Sequence, residues 1–142
     1  MSMWLFYAFL SAFMAALVAI FAKLGLKTID PTLATTVRAI IMALFLVFVA
    51  LALNKFNGFT LESFTGREWI LIILSAVAGA LSWLFYFFAL KTGNVVQVAA
   101  IDRLSVVFVI ILAAIVLGEA LTWKTMLGGL LIVGGALLIM LK

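Results

Sequence analysis

Apolar residues run along this chain in five long stretches, each carrying at most two charges and separated from the next by a short polar interval. The stretches cover roughly residues 4–24, 31–53, 66–90, 95–117 and 123–141. Each is close to the ~20 apolar residues that carry a helix across a hydrocarbon core of about 30 Å. Nothing in that core hydrogen-bonds a free amide, so a run of this length predicts a helix, which satisfies its backbone internally. The expected fold is therefore all-α: a polytopic membrane protein built as one bundle of five transmembrane helices, with residues 1–142 forming a single domain.

The polar intervals supply start and stop signals. Lys23, Gly25 and Lys27 end the first stretch, and Asp30-Pro31 gives an N-cap followed by proline at the first helical position. Thr65 and Glu68 have the spacing of a capping box. Gly93-Asn94 separates the third stretch from the fourth, and Thr122 is placed to cap the fifth. The interval 54–68 is the longest. It still carries Phe56, Phe59, Leu61 and Phe64, which predicts that it lies against the membrane surface. Met1 to Ala22 holds no charge, so the basic leader of a signal peptide is missing and the first stretch reads as a retained helix.

Composition agrees with the pattern. Of 142 residues, 69% are hydrophobic and 10% charged, and the mean hydropathy is +1.45. A soluble domain is about 45–50% apolar and about 25% charged; this chain has too little polar surface to cover itself in water. Net charge is +4, but the nine Lys and Arg are scattered singly, which is not the clustered patch that binds phosphate backbones. No nucleic-acid partner is expected. The chain has no Cys and no His. That removes disulfides, thiolate nucleophiles, the usual zinc sites and the base of a Ser-His-Asp triad. With one deep carboxylate, a membrane enzyme lacks its acid–base pair. No cofactor motif stands out.

Small residues recur at helical spacing: Ala15, Ala19 and Ala22 in the first helix, Ser75 and Gly79 with Ala76 and Ala80 in the third, Gly128 with Gly135 and Gly129 with Ala136 in the fifth. Lipid gives helices no hydrophobic reason to associate, so such stripes read as packing faces. Trp4, Trp69 and Trp123 begin the odd-numbered helices, which puts all three at one membrane surface, as in an interfacial aromatic belt.

The informative polar residues lie deeper. Arg38 is about seven residues into the second helix and Asp102 about eight into the fourth, so both lie roughly 10–12 Å below the opposite surface. Trp83 and Tyr86 reach a similar depth on the third helix, while Lys23 and Gln97 lie nearer the surface above them. Ionisable groups at such depth usually face a partner or a cavity. Asp102 and Arg103 are neighbours in sequence and point about 100° apart on a helix, so Asp102 pairs better with Arg38, leaving Arg103 to snorkel or to meet a second subunit. Two readings stand. The charges form a structural ion pair, or they floor a substrate path on which Trp83 and Tyr86 offer aromatic faces. Glu119, at the end of the fourth helix, is either a gate or coupling carboxylate or a loop-closing residue.

Lys23, Lys27, Lys91 and Lys142 fall on one side, against Lys55, Arg67 and Lys124 on the other. Counting Arg38 and Arg103 makes it six against three. The loop bias alone is weak enough to permit insertion in either orientation. An antiparallel homodimer would then supply the inverted repeat that many transporters carry within one chain.

The stretch Val106 to Leu141 resembles the end of an EamA repeat of the drug/metabolite transporter superfamily: Leu117-Gly118-Glu119 closes a helix, Leu121-Thr122 follows, and the last helix is glycine-rich. Asp30-Pro31 followed by Arg38 resembles the family's second helix, and Ser82 to Leu90 its aromatic third. Members typically carry two such repeats; this chain carries one. A proline common in the family's fourth helix is absent near Val106. The resemblance implies export or exchange of a small metabolite or drug-like molecule across the cell membrane by alternating access, without nucleotide hydrolysis. The candidate lining residues are Arg38, Asp102, Trp83, Tyr86, Arg103, Gln97 and Lys23, with Asp102 and Glu119 as candidates for gating or coupling. Expected partners are lipid, an unnamed small substrate and a second copy of the chain. The competing class is a non-transporting membrane subunit that assembles with another protein or handles lipid.

Overall fold

The computed structural model describes residues 2–60 and 63–141; Leu61 and Lys142 lie outside them. The elements are α1 (Met3–Gly25), α2 (Pro31–Ala52), α3 (Gly66–Thr92), α4 (Val95–Asp102), α5 (Ser105–Leu112), a π-helical turn (Ala113–Leu117) and α6 (Trp123–Met140). With α4, α5 and the π turn taken as one span, five helical segments are long and apolar enough to cross a membrane. No strand occurs among the described residues, and the fold is all-α.

Side chains are distributed as a bilayer requires. Phe9, Ile115 and Leu138 are more than 70% exposed, while the buried hydrophobic residues are Ala19, Leu26, Phe87, Leu90 and Ala136. Apolar surface on this scale is stable only against lipid or a partner.

Helix ends follow their caps. Asp30 Oδ1 accepts from the amides of Thr32 and Leu33 at 2.9 and 3.0 Å. The Thr65–Glu68 capping box forms: the Thr65 amide donates to Glu68 Oε2 at 2.7 Å and the Glu68 amide to Thr65 Oγ1 at 3.4 Å. Asn94 accepts from the Val96 amide at 2.9 Å, and Thr122 from the Thr125 amide at 3.1 Å. The end of α2 is a Schellman turn. Asn54 takes φ +52°, its amide donates to the Leu51 carbonyl at 3.0 Å, and the Lys55 amide reaches Ala50 at 2.9 Å.

The chain divides into two compact units, one of residues 24–91 and one of residues 1–23 with 92–142. The first holds α2 and α3. In the second, α6 packs on α4 and α5. Gly129 and Ala136 are the buried residues of α6, and a Cβ added at Gly129 would stand 3.4 Å from Ile110 Cδ1. Of the two small-residue stripes on this helix, Gly129–Ala136 is thus the one used inside the unit. A Cβ at Gly128 or Gly135 meets nothing within 4 Å.

The fourth span departs from the continuous helix its sequence predicts. At Leu104, Val106 and Val107 the amides donate three residues back, to Ile101, Arg103 and Leu104, at 2.9–3.1 Å. This is the tighter 3₁₀ pattern, and it separates α4 from α5 beside Asp102 and Arg103. The interruption arises although the proline common in the resembled family's fourth helix is absent near Val106. The span then ends in the wide π turn: Gly118 takes φ +68° and the Glu119 amide reaches back to the Ala113 carbonyl at 3.2 Å.

Gly118→Ala should cost about 1 kcal/mol, because a Cβ is strained in the left-handed region. The expected readout is a lower thermal-unfolding midpoint of the purified protein in detergent. Asn54→Gly, at the equivalent position after α2, should leave the midpoint unchanged or raise it.

Candidate functional site

Within the unit of α2 and α3, one helical face of each borders a cavity of about 600 Å³. The α2 face runs through Thr32, Thr35, Ala39, Met42 and Leu46, and the α3 face through Ala76, Gly79, Ala80 and Trp83. Ala76, Gly79 and Ala80 form the stripe that reads as a packing face in sequence. Here their small size makes room, and a Cβ on Gly79 meets nothing within 4 Å.

Arg38 borders the same cavity. It reaches from α2 to α3, and its guanidinium carbon lies 3.8 Å from the centroid of Trp83 and 5.7 Å from that of Phe87. The rings are held in turn by edge-on contacts: Trp83–Tyr86 at 5.7 Å and Trp83–Phe87 at 6.1 Å, with Phe87 buried. Arg38, Trp83 and Tyr86, assigned to similar depth from helix counting, are therefore one cluster. A charge at the centre of a helix costs about 2.5–3.5 kcal/mol on insertion scales. A desolvated cation–π contact returns about 2 kcal/mol or more, a large part of that.

Asp30 is committed to the start of α2 and Glu68 to Thr65. These are the carboxylates among the described residues of this unit. Thr35 and Thr36 donate their hydroxyls to the carbonyls of Pro31 and Thr32 at 2.7 and 2.8 Å, so what they offer the cavity is oxygen lone pairs.

The remaining sequence candidates fall in the other unit. Lys23 Nζ donates to the Gly93 carbonyl at 2.8 Å, which fastens the end of α1 to the turn before α4. Gln97 and Asp102 are half-buried on α4, and Arg103 and Glu119 are exposed. At Glu119 the observed loop-closing bond comes from its backbone amide, not its carboxylate.

Two contributions go unseen in sequence. The threonines of α2 recur at 32, 35 and 36, in step with Ala39, Met42 and Leu46, and that helical period is the signal for them. Lys91, counted as a loop cation, donates to the carbonyls of Leu26 and Ile29, the latter at 3.0 Å. It thereby closes the α1–α2 turn over buried Leu26 and Leu90. Nothing in its local sequence marks that role.

A profile of the EamA-like transporter family matches residues 2–141. The chain belongs to the EamA-like transporter family. It is also 39% identical over 136 residues to a Sinorhizobium protein described as an uncharacterized transporter in the cobO 3′ region, covering 96% of this chain and 95% of that one. No solved structure gives a significant match. Family and fold together make this EamA-like protein an integral, multi-pass membrane transporter that meets lipid.

Lys91→Met keeps the apolar stem and removes the donors, leaving carbonyls of the turn without their partner. We expect a loss of about 1 kcal/mol or more, seen as a lower unfolding midpoint in detergent, with Lys91→Arg intermediate.

Proposed function

We infer that the protein is a secondary transporter that exports or exchanges a small organic metabolite across the cell membrane, and that it works as an antiparallel homodimer. The observation that carries the reading is the cavity beside Arg38 and Trp83: an apolar volume with one charged group on its wall. Binding sites for small molecules fall at about 300–1,000 Å³, largely apolar with a few placed polar groups.

Supporting features bear on how it cycles. Discontinuous helices recur where transporters bind and release substrates, and the fourth span is broken beside Asp102. Asp102 is the carboxylate we assign to coupling, with Gln97 on the same helix and Arg103 toward lipid or the second copy. Weakly biased loop cations permit both orientations of insertion, and the Gly128–Gly135 stripe, open within its own chain, is available to a second copy.

Asp102→Asn should abolish pH-driven uptake into liposomes while leaving expression and thermal unfolding close to the parent. Transport at parental rates would remove Asp102 from coupling. The chain has no native cysteine, so single cysteines at Lys27 and Asn57 report topology without background. Both sites should label from both faces of intact cells. Labelling of each from one face alone would exclude dual insertion.

A further inference from the structure

We propose that Arg38, stacked on Trp83, is a carboxylate-binding subsite and that the transported molecule is a small organic carboxylate with an apolar body. This names the substrate class of the transport reading and rests on it.

The guanidinium carbon lies 3.8 Å from the Trp83 centroid, and a cation–π contact is an electrostatic one that brings no lone-pair acceptor, so it does not neutralise the group or saturate its N–H donors. Those donors match a carboxylate through two parallel hydrogen bonds. The aromatic face therefore holds the group in position without neutralising it. Both described carboxylates of this unit are committed to helix starts, so its own described residues supply no counter-ion.

The remaining wall sets the rest of the ligand. Ala39, Met42, Ala43, Leu46, Ala76 and Gly79 suit an aliphatic or aromatic body. Thr35 and Thr36 spend their hydroxyl protons on backbone carbonyls, Thr32 keeps a hydroxyl on the same wall, and Arg38 is the one charged group of the lining, which makes it the anion's anchor. A singly charged group is favoured over a phosphate dianion for two reasons. One guanidinium balances one charge, and the α2 N-terminus, an anion site in other settings, is already occupied by Asp30.

The test is calorimetric titration of the full chain in lipid nanodiscs, with empty nanodiscs subtracted. The ligands are aliphatic monocarboxylates from acetate to octanoate, matched against the corresponding amides, alkylammonium ions and monoalkyl phosphates. Saturable binding of carboxylates, at least about tenfold tighter than amides or ammonium ions of equal length, is the expected result. Arg38→Lys should weaken carboxylate binding by about tenfold, and Arg38→Gln should abolish it.

Equal binding of amides or ammonium ions, tighter binding of phosphates, or no saturable carboxylate response overturns the assignment. The ligand comparison uses the unsubstituted protein, so it decides even where an Arg38 variant fails to fold. Transport is read separately, as flux into proteoliposomes. Carboxylate binding without flux would sink the transporter reading and leave the subsite standing, whereas flux of a neutral or cationic molecule without carboxylate binding would do the reverse.

Discussion

In hydrocarbon a backbone amide or carbonyl has no water to bond, and each one left unpaired costs several kcal/mol. That constraint organises this protein more than any side-chain contact does. It makes five apolar runs into helices, and it concentrates polar side chains at helix ends. Asp30, Thr65 with Glu68, Asn94 and Thr122 each return a bond to an amide that a helix start leaves open. Lys23 and Lys91 do the same for carbonyls in the turns. These polar side chains are spent on backbone, and Arg38, which is not, stands out.

The fourth span shows the same constraint from the other side. A helix in lipid is interrupted at lower cost when its amides find nearby carbonyls, and the three-residue bonds from Leu104, Val106 and Val107 supply these. A proline would remove a donor and force the bend. Here every donor is kept, so the segment can revert to a continuous helix by exchanging three-residue for four-residue bonds. A break of that kind is reversible in a way that a proline kink is not. It also sits beside Asp102, the residue proposed above for coupling.

What the sequence made legible was local. Caps at Asp30, Thr65 and Thr122 depend on residues three positions apart, and the five spans depend on composition over about twenty residues. Arg38, Trp83 and Tyr86 were placed at one depth by counting along helices, because axial rise is fixed at about 1.5 Å per residue. The rest depends on how helices meet. The stripe Ala76, Gly79 and Ala80 has the spacing of a packing face, and only the distance to α2 shows that it walls a cavity. Lys91 is an ordinary loop cation until the turn at Leu26 to Ile29 is folded beneath it. The 3₁₀ break has no sequence mark, since neither proline nor glycine lies between Val95 and Leu117.

The Arg38–Trp83 contact bears on a conflict that any membrane carrier of anions faces, and so on the carboxylate subsite proposed above. A cation strong enough to attract the substrate from water must also survive when the site is empty. A carboxylate partner from the protein would stabilise the empty state but compete directly with an anionic substrate for the same N–H donors. An aromatic ring competes far less, since it offers a π face and no carboxylate-like lone pairs to the N–H donors. At about 2 kcal/mol or more in a desolvated setting, the ring offsets much of the burial cost, yet it is weak beside a paired charge. In the proposed carboxylate subsite, a ring rather than a protein carboxylate beside Arg38 would leave the guanidinium open to the substrate and would not have to be displaced on release.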